Sequence, residues 1–183
     1  MPPGQHVTAK FPVFTAGQPP ELSKDTWSFT LAYEGEECAR WDWDSFQALP
    51  QHEWVRDIHC VTRWSRPGTR FQGVRIDDIL AAARLRAPAS FVMAHSFGGY
   101  ETNLAWSDLT GNQAMIALRI DGTELDEQHG GPARLIVPHL YFWKSAKWIA
   151  GLRFLDRDQP GFWERHGYHM RGDPWLEQRR SSD

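Results

Sequence analysis

Short runs with apolar residues on every second position confine this chain to a β-rich fold. Trp27, Phe29, Leu31 and Tyr33 alternate with polar neighbours, the pattern of a strand buried on one face. Tyr100, Thr102 and Leu104 repeat it. Phe91–His95 reads as a buried strand, and Met115–Ile120, Arg134–Val137 and Trp148–Leu155 as further strands. The helical signals are short. Asp42 or Asp44 can cap a helix that carries Phe46 and Leu49 and stops at Pro50. Asp77 or Asp78 opens a second through Leu80, Ala81, Ala82 and Ala83, closed by Pro88, and Trp106 to Leu109 reads as one helical turn. Turns are expected at Glu34-Gly35-Glu36, Pro67-Gly68 and Asp121-Gly122. Residues 1–26 are rich in Pro and Gly and read as an extended arm anchored by Phe11, Val13 and Phe14. Residues 156–183 lack periodicity and are expected to wrap the core. With strands outnumbering helices and no linker or repeat, residues 1–183 read as one mixed α+β domain.

The composition excludes several classes of function. The chain has 183 residues, 41% of them apolar, enough for a packed core. Its 20 basic and 23 acidic residues leave a net charge of −3, which gives no electrostatic reason to expect nucleic acid or an anionic membrane as partner. No uninterrupted apolar stretch approaches the ~18 residues of a membrane span. The start, Met1-Pro-Pro-Gly-Gln-His6, is not a secretion leader, so a reducing, cytoplasmic setting is expected. Two cysteines, Cys38 and Cys60, cannot build a disulfide framework. The ten tryptophans serve equally as core filler or pocket wall.

The chemistry concentrates around Asp57-Ile-His-Cys-Val-Thr-Arg-Trp-Ser65. Cys60 follows an apolar run formed by Val55 and Ile58, with Val61 beyond it, expected as a buried strand ending in a loop. A buried free thiol is often inert packing. Here His59, Arg63 and Arg66 stand close in sequence, and positive charge favours the thiolate, the form that binds soft metals. Cys60 therefore reads as a ligand or nucleophile. His95, His129 and Arg134 lie where apolar runs give way to glycine loops, the places where a rigid scaffold displays functional groups. A lone histidine is more often a satisfied structural residue. Gly130-Gly131-Pro132-Ala133-Arg134 joins backbone free to approach closely with a guanidinium that fits phosphate. Tyr141-Phe-Trp-Lys-Ser-Ala-Lys147 adds two ammonium groups and a hydroxyl. Neither segment is a standard nucleotide-binding motif.

Together these motifs resemble the molybdopterin-binding domain of sulfite oxidase-like oxidoreductases, most closely the short bacterial members related to the protein-methionine-sulfoxide reductase catalytic subunit. The resemblance runs from Phe11-Pro-Val to Gly172-Asp-Pro-Trp175. It is carried by Asp57–Ser65, by His129-Gly-Gly-Pro-Ala-Arg-Leu-Ile-Val-Pro138 and by Tyr141-Phe-Trp-Lys-Ser-Ala-Lys-Trp148. It implies a β-rich α+β domain and a Mo-molybdopterin cofactor. By resemblance Cys60 is the metal ligand, His95 and Arg134 are cofactor contacts, and Ser145, Ala146 and Lys147 contact the pterin and its phosphate. His129 stands where relatives often carry asparagine. Arg63 is a candidate for the substrate or the oxo group, against a plain salt-bridge role. The implied reaction is oxygen-atom transfer on a small sulfur compound, either sulfite oxidation or sulfoxide reduction.

The departures are informative. Where eukaryotic sulfite oxidases carry Cys-Ala-Gly-Asn-Arg-Arg, this chain has Cys-Val-Thr-Arg-Trp-Ser, so the sulfite-binding arginines do not transfer. No heme signature and no room for the family's dimerisation domain are evident, so electrons are expected from a separate partner; the oligomeric state does not follow from the sequence. Two alternatives remain: a protein that stores or carries the cofactor without turnover, and a zinc or iron site of Cys60 with His59, His95 or His129. The second lacks any Cys-x-x-Cys or His-x-x-x-His spacing.

Overall fold

The computed structural model describes residues 1–86 and 89–183. Two sheets carry the fold. The first contains β1 (His6–Val7), β4 (His52–His59), β5 (Trp64–Arg75), β8 (Met115–Ile120), β9 (Thr123–Glu124) and β10 (Arg134–Ile136). The second has the order β3-β2-β11-β6-β7, built from β2 (Ser28–Tyr33), β3 (Glu36–Asp42), β6 (Phe91–Ser96), β7 (Glu101–Ala105) and β11 (Ile149–Leu155). In it β11 pairs parallel with β2 and antiparallel with β6. The helices are α1 (Trp43–Gln47), α2 (Ile76–Ala83) and α3 (Phe162–Arg165). None of the described helices is long and apolar enough to cross a membrane.

The first sheet is covered on both faces, which explains the unbroken apolar run of β8. Ile116 and Leu118 join the larger core with Phe29, Leu31, Ile79 and Leu152. Met115, Ala117 and Ile120 point the other way, into a smaller cluster with Trp54, Ile58, Phe71 and Cys60. A large apolar side chain buried this way contributes roughly 1.5–3 kcal/mol. Cys60 is thus seated on the smaller core, at the end of β4.

The expected strands and short helices form close to their predicted places, and Asp42 caps α1 by accepting from Ser45 N at 2.9 Å. Besides the short β1, β9 and α3, which form in stretches read as arm, loop and tail, three details differ. The polar stretch after the Gly35 turn is β3, an edge strand that alternation could not reveal because most of it is exposed. Pro67-Gly68 does not reverse the chain: β5 runs through it, close to where the register against β4 slips. The actual reversal lies at Cys60–Trp64. The second helix opens at Ile76, with Arg75 rather than an aspartate in the capping position, and ends at Arg84 in the left-handed region. Pro88, expected to close it, lies outside the described residues.

Candidate functional site

The reversal between β4 and β5 builds the centre of the site. Cys60 N donates to Trp64 O at 2.8 Å, and Arg63 N donates to Cys60 O at 3.0 Å. Arg63 closes the turn with φ of 73°, the left-handed position that three-residue hairpin loops require and that glycine usually fills. Both termini hold this turn. Gln5 Nε2 donates to Cys60 O at 3.2 Å, and Arg179 Nη1 donates to Val61 O at 2.8 Å. The thiol itself accepts from Thr62 Oγ1 at 3.1 Å.

Burial pushes the Cys60 thiol up from its ordinary pKa, against smaller lowering effects from Thr62, nearby backbone N–H groups and Arg179. The sequence reading expected His59, Arg63 and Arg66 to supply the positive charge. The structure replaces them. His59 turns to Ser65 Oγ at 2.8 Å, Arg66 pairs with Asp121, and Arg63 is exposed on the turn. The cation that reaches the thiol comes from the C-terminal tail.

Cys60 opens onto a cavity of about 310 Å³. His129, Arg134, Ser145, Ala146 and Lys147 line the same cavity, so two motifs separated in sequence meet across from the thiol. Hydrogen bonds lace them together. Leu135 N donates to Ala146 O, Trp148 N to Gly130 O and Ile149 N to Ala133 O. Arg134 donates through Nη1 to His129 O at 2.8 Å and through Nη2 to Ser145 O at 2.7 Å, with its guanidinium 4.3 Å from the Phe142 ring centroid. It is only 2% exposed, and its Nε has no partner. Burial draws its pKa down, yet a guanidinium stays charged at neutral pH. Burial, and then the neighbouring Arg134, bring Lys147 down to about 8. His129 is fixed between Asp126 Oδ2 at 2.8 Å and Phe11 O at 3.0 Å, and its ring stacks on Phe11 at 4.4 Å.

Two expected residues stand apart from the cavity. His95 is not in its lining; Nε2 lies over the face of Gly151, where an added Cβ would come within 2.7 Å of it. Arg63 is also outside the lining. Lys144, read as one of two ammonium groups available to a phosphate, is instead fully buried and donates to Asn103 and Met170 carbonyls. Sequence reasoning missed the aromatic lining, which includes Phe97, Tyr100, Trp143, Trp163 and Tyr168, and the part the arm plays in it through Phe11, Pro12, Phe14 and residues 15–18. Only the aromatic richness of the arm and the tail hinted at either.

The donors fit a metal that arrives with ligands of its own. Among the described residues no three of His, Cys, Asp and Glu gather as a metal cage. That leaves the zinc or iron alternative without a donor set, and Cys60 as a single soft donor facing a cationic cradle with an unpartnered Arg134 Nε.

The model of the oxidoreductase molybdopterin binding domain matches residues 16–163. The chain belongs to this family. It is an oxidoreductase domain of the kind that binds molybdopterin. An uncharacterized oxidoreductase of Bacillus subtilis, YuiH, is 42% identical over 184 residues, covering 100% of this chain and 93% of the relative. The protein-methionine-sulfoxide reductase catalytic subunit MsrP of Burkholderia mallei is 24% identical over 182 residues; 88% of this chain covers 55% of that protein. Among solved structures, the sulfane dehydrogenase SoxCD from Paracoccus pantotrophus superposes with a TM-score of 0.67 at 17% identity, over 81% of this chain and 42% of the other. That likeness supports the β-rich α+β fold.

Proposed function

We propose that this domain reduces a small neutral sulfoxide, with Mo-molybdopterin held through Cys60 and electrons delivered by a separate protein. Arg134, Ser145, Ala146, Lys147 and His129 form the cradle for the pterin and its phosphate. When bound, the cofactor supplies the redox centre that exchanges an oxygen atom. The sulfur–oxygen bond breaks, sulfur keeps an electron pair, and two electrons with two protons carry the oxygen away as water. The chain's own part is to fix the thiol, hold the phosphate and exclude water with its aromatic lining, Phe11 included.

The observation that carries the substrate reading is the charge of the cavity. Its charged or titratable lining beyond Cys60 and tyrosine is His129, Arg134 and Lys147, and each already donates to or pairs with protein acceptors. Among the described residues the lining holds no arginine besides Arg134, which this reading assigns with Lys147 to the pterin phosphate, so with Arg63 outside it no further guanidinium is left to neutralise sulfite. Of the rest, nine residues are Phe or Trp, a surface that suits thioether and sulfoxide sulfur. Free thiols at Cys38 and Cys60 suit a reducing compartment.

The test is protein made in a cofactor-competent host, assayed for metal and pterin and then with reduced dye against dimethyl sulfoxide and sulfite. Near-stoichiometric molybdenum with pterin and sulfoxide turnover is expected. Zinc or iron without pterin overturns the cofactor reading; turnover of sulfite alone overturns the substrate.

A further inference from the structure

The geometry points to Thr62 as a residue that sets the reduction potential of the bound metal, through a hydrogen bond to the sulfur of Cys60. This rests on the proposed ligation by Cys60.

Thr62 Oγ1 lies 3.1 Å from Cys60 Sγ, with the hydroxyl donating and the sulfur accepting. Among the described residues this hydroxyl has no second side-chain or backbone partner, so the bond to sulfur is not shared. The contact follows from the tightness of the turn. Cys60 and Trp64 are bonded through their backbones, Arg63 takes the left-handed position, and Thr62 is left between them with its side chain beside the thiol. The turn cannot easily relax. Gln5 holds the carbonyl of Cys60 and Arg179 holds the carbonyl of Val61, so the acceptor residue and the residue that links it to Thr62 are anchored to opposite ends of the chain. Thr62 also lines the cavity, beside Cys60.

A hydroxyl that donates to a metal-bound thiolate withdraws electron density from sulfur. The thiolate then donates less to the metal, the higher oxidation state loses support, and the potential rises. Hydrogen bonds to ligating sulfur are a recognised lever on redox centres. With the cofactor bound through Cys60, the Thr62 hydroxyl would favour the reduced state of the metal. A purely structural Thr62 would close the turn without touching the metal's electronics, and the two roles separate by experiment.

Thr62→Val keeps the shape and removes the donor; Thr62→Ser keeps the donor. Wild type and both variants are loaded with molybdenum, and the midpoint potential is read by redox titration with EPR detection, alongside the sulfur-to-metal charge-transfer band and the melting temperature. Pulsed EPR of wild type in D2O reports an exchangeable proton close to the sulfur. The expected result is a lower potential and a displaced band for Thr62→Val, wild-type values for Thr62→Ser, and equal metal content and melting temperature in all three. The exchangeable proton is expected in wild type, which keeps the inference testable if the valine variant fails to fold. An unmoved potential in Thr62→Val, a serine variant displaced as far as the valine one, or no exchangeable proton overturns the inference while leaving the function intact. Wild-type protein that takes up no molybdenum overturns both.

Discussion

Lys144 Nζ stands 2.7 Å from Glu164 Oε1, and neither side chain has any exposure. On the lysine side Nζ also lies within hydrogen-bonding distance of Asn103 O, Asn103 Oδ1 and Met170 O, so four acceptors share its three protons. Glu164 Oε1 accepts from Trp143 Nε1 at 2.8 Å and from Thr102 Oγ1 at 3.1 Å. One ion pair therefore joins β7, the aromatic loop, α3 and the tail, and it orients Trp143 in the cavity wall. A buried charge left alone is far costlier than the pair itself. Lys144→Met is expected to destabilise the protein by about 3–5 kcal/mol. Lys144→Met with Glu164→Leu should recover part of that. Urea unfolding of the single and double variants measures both; equal losses in the two would remove the pair's special role.

The two cysteines are expected to behave oppositely. Cys60 lines the cavity, whereas Cys38 is exposed on β3. Cys60→Ser replaces a soft donor by a hard one and should lower molybdenum content at least about tenfold, together with turnover. Cys38→Ser should change neither. Elemental analysis of the purified variants decides it, and metal retained at wild-type level in Cys60→Ser would end the ligand assignment.

Much of this arrangement is legible in the sequence, and the misses have physical reasons. Period-two alternation marks β2 because one face of that strand is buried. It cannot mark β3, an edge strand with mostly exposed residues. The reversal after Cys60 carries no glycine, because Arg63 accepts the left-handed position, so Pro67-Gly68 offers the louder signal. The lining formed by His129, Arg134 and Ser145–Lys147 is visible as two motifs, since each is continuous in sequence. Arg179 is not, because the residue it holds, Val61, lies 118 positions away and no periodicity links them. Lys144 looks like its neighbour Lys147 in sequence; only the fold reveals that one faces Glu164 and the other the cavity.

Lys147 should give the cofactor-free protein a distinctive pH dependence. Its folded pKa of about 8 lies below the ordinary 10.5. Below pH 8 the ammonium is charged in both folded and unfolded chains, and the folded state bears the full cost of burying it. Between about 8 and 10.5 the unfolded chain binds more protons, so stability contributed by this group rises with pH. Lys147→Met should therefore be relatively more stable at pH 7 than at pH 10 when compared with wild type. Binding of an anionic phosphate should favour the ammonium, so affinity for cofactor should fall as pH passes 8. Urea unfolding at both pH values checks the first statement; parallel slopes for wild type and Lys147→Met would contradict it.

Gly130 offers a test of how tightly the two motifs that line the cavity must approach. Its φ of 105° disfavours any side chain, and an added Cβ would come within 2.8 Å of Lys147 Cβ and 2.9 Å of Lys147 Cα. Gly130→Ala must therefore displace the Lys147 backbone, not merely rotate a flexible tip. Backbone strain alone costs on the order of 1–3 kcal/mol. Gly122 is the control, because it also has positive φ, at 82°, but nothing lies within 4 Å of the Cβ it would gain. Gly122→Ala should lower stability modestly and leave cofactor content unchanged. Gly130→Ala should lower stability further and, if Lys147 holds the pterin phosphate as proposed, lower pterin content as well. Thermal unfolding and pterin fluorescence on the two variants separate strain from site geometry. Equal pterin content in both would mean that the cradle tolerates the shift and that Lys147 is not the contact its position implies.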